Sequence, residues 1–181
     1  MINSIRILIA GGGTGGHLFP AIALGERILA DCPYSSMHYM GSTFGIEANI
    51  FPIKNMNHTL IPIRGLQRNF NPSGIGKNLL LPFRILKSIK MTKKVFNAFK
   101  PDVVVGTGGY ASALPIREAI SRDIPVLIQE QNSFPGITTR WFADKADTVC
   151  IAFEEAKNHL KKKLYLSPET QFEPELMKET A

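Results

Sequence analysis

Long apolar runs are missing from this chain. No stretch reaches the roughly 20 residues that a membrane-spanning helix needs, and the first residues lead straight into a strand pattern without the sections of a signal peptide. Cysteine is nearly absent as well. Cys32 and Cys150 stand alone and make no metal or redox motif. The four histidines, His17, His38, His58 and His159, include no two at helical ligand spacing, which argues against a metal centre. The expected compartment is therefore the cytoplasm. Acid is missing from one long window: between Glu47 and Asp102 there is no Asp or Glu, while ten of the 21 Lys and Arg residues fall inside it. The net charge of +6 belongs to that region, and the rest of the chain is net acidic. With 181 residues, 44% of them hydrophobic and 20% charged, the chain suffices for one full domain with its own core.

Glycine, by contrast, is plentiful and clustered. Residues Arg6 to Leu24 read RILIAGGGTGGHLFPAIAL: an apolar run, a group of glycines, His17, then apolar residues at helical spacing. That order predicts strand, tight turn, helix. The helix starting near Gly16 would point unpaired N–H groups and the positive end of its dipole at a ligand, which suits an anion, most often phosphate. A Cβ at Gly15 is expected to enter the space a diphosphate oxygen would occupy. The bare pattern Gly11-x-Gly13-x-x-Gly16 also matches a dinucleotide fingerprint. That reading wants an acid at the end of the second strand, and Gly41-Ser42-Thr43 stands there instead. A turn that serves only helix–strand packing is the remaining alternative.

Further along, Met37–Met40 reads as a strand, Ser42–Phe51 as a turn and short helix, and His58–Ile63 as a strand. The Gly-, Asn- and Pro-rich stretch GLQRNFNPSGIG follows, then a long helical region to Phe99 that Pro82 is expected to kink. The run Asp102–Gly106 has the continuous apolar character of a strand buried on both faces. After it come a second turn, Gly108-Gly109-Tyr110, and a helix over Ser112–Ser121. Pro125–Gln129 is the fifth strand, EQNSFPG a loop, and a helix runs through Trp141. Thr148–Ala152 is the sixth strand, with helical character over Phe153–Leu160. Strand–helix alternation predicts an α/β fold, a Rossmann-like doubly wound parallel sheet. Ligands of such sheets sit beyond the carboxyl ends of the strands. Three segments should share that rim: Gly11–His17, Thr107–Tyr110 and Glu130–Asn132.

The basic window has its own pattern. Ile75, Leu79, Phe83 and Leu86 recur at spacings of three and four, an apolar helical stripe. The stripe either faces the core beneath a solvated lysine face or enters a lipid headgroup region, with Lys and Arg meeting anionic lipid. Beyond phenylalanines at helix-core spacing the window has no aromatics interleaved for base stacking, so nucleic acid is not an expected partner.

Several stretches together resemble one family closely. GGGTGGHLFPAIAL, MGSTFGIEANIFP, PDVVVGTGGYASALP, IQEQNSFPGITTRWFADKAD and AFEEAK look like the MurG family of peptidoglycan N-acetylglucosaminyltransferases, in order over residues 5–160. The resemblance implies a GT-B fold of which residues 1–160 are the N-terminal, acceptor-side domain. It implies inverting transfer of N-acetylglucosamine from a UDP donor to the muramoyl C4 hydroxyl of lipid I, giving lipid II, with no metal or cofactor. His17 and Glu130 are then the candidate catalytic residues. His17 would be a base or a polarising group, its alternative being a helix-turn cap; Glu130 would orient a sugar hydroxyl or the attacking oxygen, or pair with a neighbour. Thr14, Gly15, Gly16 and Asn132 would adjoin the donor sugar. Gly12, Gly13, Gly108 and Gly109 would cradle the acceptor diphosphate, with Tyr110 lining the channel. Where the family usually carries His, this chain has Gln129, so a histidine role does not transfer there. Ile75, Leu79, Leu80, Phe83, Arg84, Lys87 and Lys90 match the family's membrane contact, implying a peripheral place on the cytoplasmic face of the cell membrane. Residues 161–181 do not resemble the family. Allowed codons for Ser167–Glu173, read in the adjacent frame, spell Thr-Gly-Asn-Pro-Ile-Arg, like the family's interdomain segment. A frameshift near Lys161–Lys163 is the corresponding expectation. The donor-binding domain is then absent or supplied by a separate chain, and this chain is inactive alone. The alternative is a non-catalytic, acceptor-binding and membrane-recruiting subunit of a split transferase.

Overall fold

The computed structural model describes residues 4–65, 80–161 and, as backbone, 165–166. Strand β1 (Arg6–Gly11) leads through the glycine turn into helix α1 (Gly15–Asp31). Next come β2 (Ser36–Ser42), α2 (Glu47–Ile53) and β3 (His58–Ile61). Helix α3 (Leu81–Phe99) precedes β4 (Val103–Gly108), α4 (Tyr110–Ile120) and β5 (Val126–Glu130). The chain continues through α5 (Ile137–Phe142), β6 (Thr148–Ile151), a 3₁₀ turn (Glu154–His159) and the two-residue β7 (Tyr165–Leu166).

All seven strands are parallel, in the order β3-β2-β1-β4-β5-β6-β7. The Rossmann-like sheet expected from the alternation is present. β7 pairs with β6 from within the stretch that resembles no family. Successive side chains of a strand point to opposite faces, so β1 feeds two cores at once. Leu8 and Ala10 join Val104, Ile116 and Ile128 on one side; Ile7 and Ile9 join Leu18, Ile22, Tyr39 and Phe51 on the other. Both faces of the central strands are covered, which is why β1 and β4 read as unbroken apolar runs. Strand order reverses between β1 and β4, and the crevice beyond their carboxyl ends is where such a sheet receives a ligand.

One expectation for the basic helix changes, and one of the two readings of its stripe is excluded at the described positions. Pro82 sits at the start of α3 and opens it rather than kinking it. Its missing N–H falls among donors that have no intrahelical partner anyway. Of the stripe, Phe83 is 73% and Leu86 65% exposed, so neither of these faces the core. The buried side of α3 is Ser88, Thr92 and Phe96, with Met91, Val95 and Phe99 half-buried against the core. Two small polar residues let the helix lie close to its neighbours, and Thr92 Oγ1 donates to the Ser88 carbonyl at 2.8 Å. Leu80, Lys87 and Lys90 are exposed beside Phe83. Arg84 is half-buried, turned from that outer face toward Phe44. Ile75 and Leu79 lie outside the described residues, as does all of the tail beyond Lys161 except β7. No helix of the described residues is long and apolar enough to cross a membrane.

Candidate functional site

Both central strands end in glycine at one rim. Gly11 of β1 pairs with Gly108 of β4, but the register slips after Ala10, whose partner is Gly106, so Thr107 is the extra residue of a bulge. The Thr107 hydroxyl donates to the His17 carbonyl at 2.8 Å, tying the end of β4 to the first turn of α1. Gly109 then takes φ +76° and ψ 170°, a region essentially reserved for glycine. A Cβ there would stand 2.1 Å from the Gly12 carbonyl oxygen. The two glycine turns, almost 100 residues apart in sequence, therefore touch through backbone, as the shared rim required.

A cleft of about 320 Å³ opens over this junction, lined by Gly12, Gly13, Thr14, His17, Gly109 and Tyr110 and closed on its far side by Ser42, Phe44, Arg64 and Gly65. A second cavity of about 160 Å³ lies beyond the imidazole, among Gly108, Glu130, Gly136, Thr138 and Thr139. His17, Gly109 and Tyr110 line both. His17 thus stands on the partition, its Nδ1 3.0 Å from Thr14 Oγ1. Burial disfavours the imidazolium and lowers the His17 pKa below its ordinary 6.5; the carboxylates of Glu130 and Glu47 pull the other way but do not prevail. The ring is neutral at pH 7 and can accept a proton.

Glu47 was not among the residues expected at the site. It opens α2, is fully buried, and its carboxylate oxygens accept the Gly13 N–H at 3.0 and 2.9 Å and the Ser42 N–H at 2.7 Å. Any Cβ at Gly12, Gly41 or Gly45 would overlap this side chain. The glycine turn is thus wrapped around an internal anion. The expectation that the Gly13 amide cradles a substrate phosphate is corrected: that donor is already taken. What Gly13 offers is room, since at φ +86° its Cβ direction meets nothing within 4 Å. The expectation for Gly15 is corrected too, because a Cβ there would face the Phe19 ring at 3.2 Å and then Ile46. The sequence did carry a signal for Glu47: it is the acid just after Gly41 and Gly45 and the last one before the acid-free window.

Glu130 is 2% exposed and its carboxylate is occupied. It accepts the Asn132 N–H (3.0 Å), the Asn132 side-chain amide (2.8 Å), the Gly136 N–H (3.0 Å) and the Thr139 hydroxyl (2.6 Å). Of the roles expected for it, pairing with neighbours is the one realised, and it fixes the loop that walls the smaller cavity. Asn132 is exposed and lines neither cavity. Of Thr14, Gly15, Gly16 and Asn132, only Thr14 lines the cleft. Gln129 accepts from the Gln131 side-chain amide, which also donates to the Thr107 carbonyl at 2.7 Å. No group of three His, Cys, Asp or Glu placed to hold a metal occurs among the described residues.

Solved structures with this fold include nucleotide-sugar enzymes. MurG from Acinetobacter baumannii matches with a TM-score of 0.74 over 90% of this chain and 45% of its own, at 28% identity. A UDP-N-acetylglucosamine 2-epimerase from Rickettsia bellii (TM-score 0.56, 16% identity, 98% of this chain and 49% of its own) shares the fold alone. Fold and rim define the Rossmann-like half of a GT-B glycosyltransferase. The model of the glycosyltransferase family 28 N-terminal domain matches residues 7–151, and the chain belongs to that family. It is 38% identical over 158 residues to the UDP-N-acetylglucosamine--N-acetylmuramyl-(pentapeptide) pyrophosphoryl-undecaprenol N-acetylglucosamine transferase of Christiangramia forsetii, covering 87% of this chain and 42% of the relative. The enzyme of the same name from Leuconostoc citreum is 41% identical over 153 residues, covering 84% and 40%. The chain thus spans about two fifths of the curated relatives it matches.

Proposed function

We propose that this fold is the acceptor-side half of an inverting transferase that moves N-acetylglucosamine from UDP-N-acetylglucosamine to a muramoyl-pentapeptide diphosphate lipid, without a metal or cofactor. The observation that carries the reading is His17, neutral and set between two cavities at the mouth of the sheet. In the tautomer whose Nδ1–H donates to Thr14 Oγ1, Nε2 carries the lone pair. The acceptor hydroxyl oxygen attacks the sugar's anomeric carbon, its proton passes to His17 Nε2, and the carbon–oxygen bond to UDP breaks with the electron pair leaving on the diphosphate. A positioned base of this kind contributes on the order of 10²–10⁴-fold. Glu130 acts through others: it holds the loop to Gly136 and its charge favours the imidazolium once formed. Exposed Leu80, Phe83 and Leu86 with Lys87 and Lys90 rest on an anionic bilayer and bring the cleft to its lipid-linked substrate.

The relatives' remaining length supplies the donor half. The test mixes this chain with the separately expressed C-terminal portion of the Christiangramia forsetii enzyme and follows radiolabel from UDP-N-acetylglucosamine into a short-chain lipid I analogue. Transfer by the mixture, lost in His17→Ala, is the expected result. No transfer by the mixture, with no binding of the analogue to this chain, overturns the reading. The exposed apolar and basic face of α3 favours one second reading, an acceptor-binding and membrane-recruiting subunit without catalysis. Analogue and vesicle binding with no transfer under any complementation would select it.

A further inference from the structure

Glu47 already occupies the Gly13 amide, which leaves the glycine turn a weaker anion site, and the far wall of the cleft offers positive charge beside it. The Arg64 guanidinium carbon lies 4.4 Å and that of Arg84 5.0 Å from the centroid of the same Phe44 ring. Phe44 and Arg64 both line the cleft. Neither arginine has an ion pair among the described residues, and no acid occurs in sequence between Glu47 and Asp102. Arg84 Nη1 is buried with no hydrogen-bond partner. Two guanidiniums gathered on one ring repel each other, and a buried donor without an acceptor is costly to keep. A doubly charged anion bridging them would remove both penalties at once.

We propose that Arg64 and Arg84, stacked on Phe44, form the clamp for the diphosphate of a polyprenyl-diphosphate-linked ligand. The inference rests on the acceptor reading above and deepens it. Guanidinium forks match phosphate oxygens bidentately, and stacking on the ring fixes their plane in advance. The clamp also sets the ligand's direction. Arg84 is flanked by Leu80 and Phe83, both exposed at the start of α3, so the hydrocarbon leaves the cleft along that apolar surface while the sugar end turns inward to His17.

Calorimetric titration of the 181-residue chain with farnesyl diphosphate tests this, with inorganic pyrophosphate as the headgroup-only probe. Farnesyl diphosphate binds the unmodified chain, and Arg64→Gln and Arg84→Gln each weaken it at least tenfold. Arg64→Lys restores only part, because an ammonium lacks the planar fork. Lys93→Gln, on the outside of α3, leaves affinity unchanged. Phe83→Ser weakens farnesyl diphosphate but not pyrophosphate. Absence of binding by the unmodified chain overturns the clamp, and so does affinity unchanged in both arginine variants that still fold by circular dichroism. A third outcome also overturns it: Arg84→Gln lowers flotation on phosphatidylglycerol vesicles as Lys87→Gln does while leaving farnesyl diphosphate intact, which assigns the arginine to lipid headgroups. The transfer assay fails separately. Arginine-dependent binding without transfer in the complemented mixture keeps the clamp and removes the transferase reading; transfer insensitive to both arginines does the reverse.

Discussion

Adding one methyl group at Gly109 tests the contact on which the cleft depends. In Gly109→Ala the new Cβ would stand 2.1 Å from the Gly12 carbonyl oxygen, which is backbone and cannot rotate aside. Ordinary contact begins at 3.4 Å, so relief requires the turns to part by at least about 1.3 Å. The residue also keeps a φ of +76° with ψ 170°, which costs a non-glycine about 1–3 kcal/mol. Together these predict roughly 2–4 kcal/mol of destabilisation, or a fall in Tm on the order of 4–16 °C for a domain this size. Displacement of that scale at a reacting centre costs about 10²-fold in rate. Gly13→Ala is the control. Its φ is +86° but its Cβ would meet nothing within 4 Å, so it carries about 1 kcal/mol of backbone strain and no overlap. The measurement is differential scanning calorimetry of both variants, followed by farnesyl diphosphate titration. If Gly109→Ala melts within 1–2 °C of Gly13→Ala, roughly the effect of half a kcal/mol, the turns are not in contact and the shared pocket is refuted.

Glu47→Gln keeps the volume but turns an amide N–H₂ toward a backbone donor, Gly13 N–H or Ser42 N–H. A loss of about 2–4 kcal/mol in urea denaturation is expected; a loss under 0.5 kcal/mol means the carboxylate does not hold the turn. Replacing Lys87, Lys90 and Lys94 together by Gln should weaken binding to anionic vesicles by about 1 kcal/mol per charge, and salt-independent flotation would contradict the role given to α3. The Arg6 guanidinium and N–H beside Asp102 hold its pKa down to about 2 from an ordinary 3.8. The folded state favours the carboxylate, so this contribution is complete above the unfolded value and fades as pH falls from 3.8 toward 2. The pair is exposed and its contribution small, so Asp102→Asn should lower stability slightly at pH 7, where the contribution is complete, and the difference from the unmodified chain should vanish as pH falls toward 2. The His17 imidazole, held neutral by burial, should titrate by NMR below its ordinary 6.5; a value above 6.5 would remove it as a base.

Local order along this chain was legible before any coordinates because periodicity and punctuation are local properties. Alternating apolar runs and helical stripes, broken by glycine and proline, fixed the sequence of elements and hence a parallel sheet, and a parallel sheet fixed which ends of the strands meet a ligand. Gly11, Gly109 and Glu130 could be assigned to one rim on that ground. Which donor at the rim is spent, and on what, depends on groups distant in sequence. Glu47 reaches Gly13 across 34 residues, and Arg84 approaches a ring 40 residues earlier in the chain. Spacing within a helix could not show that Phe83 and Leu86 face outward, because the face a helix buries is chosen by its neighbours and not by its own hydrophobicity. Sequence alone determined a glycine-lined mouth on a doubly wound sheet. Only the packed structure decided that an internal carboxylate fills its centre and that arginine carries the positive charge at its edge, since buried charges take their partners from whatever the fold brings within reach.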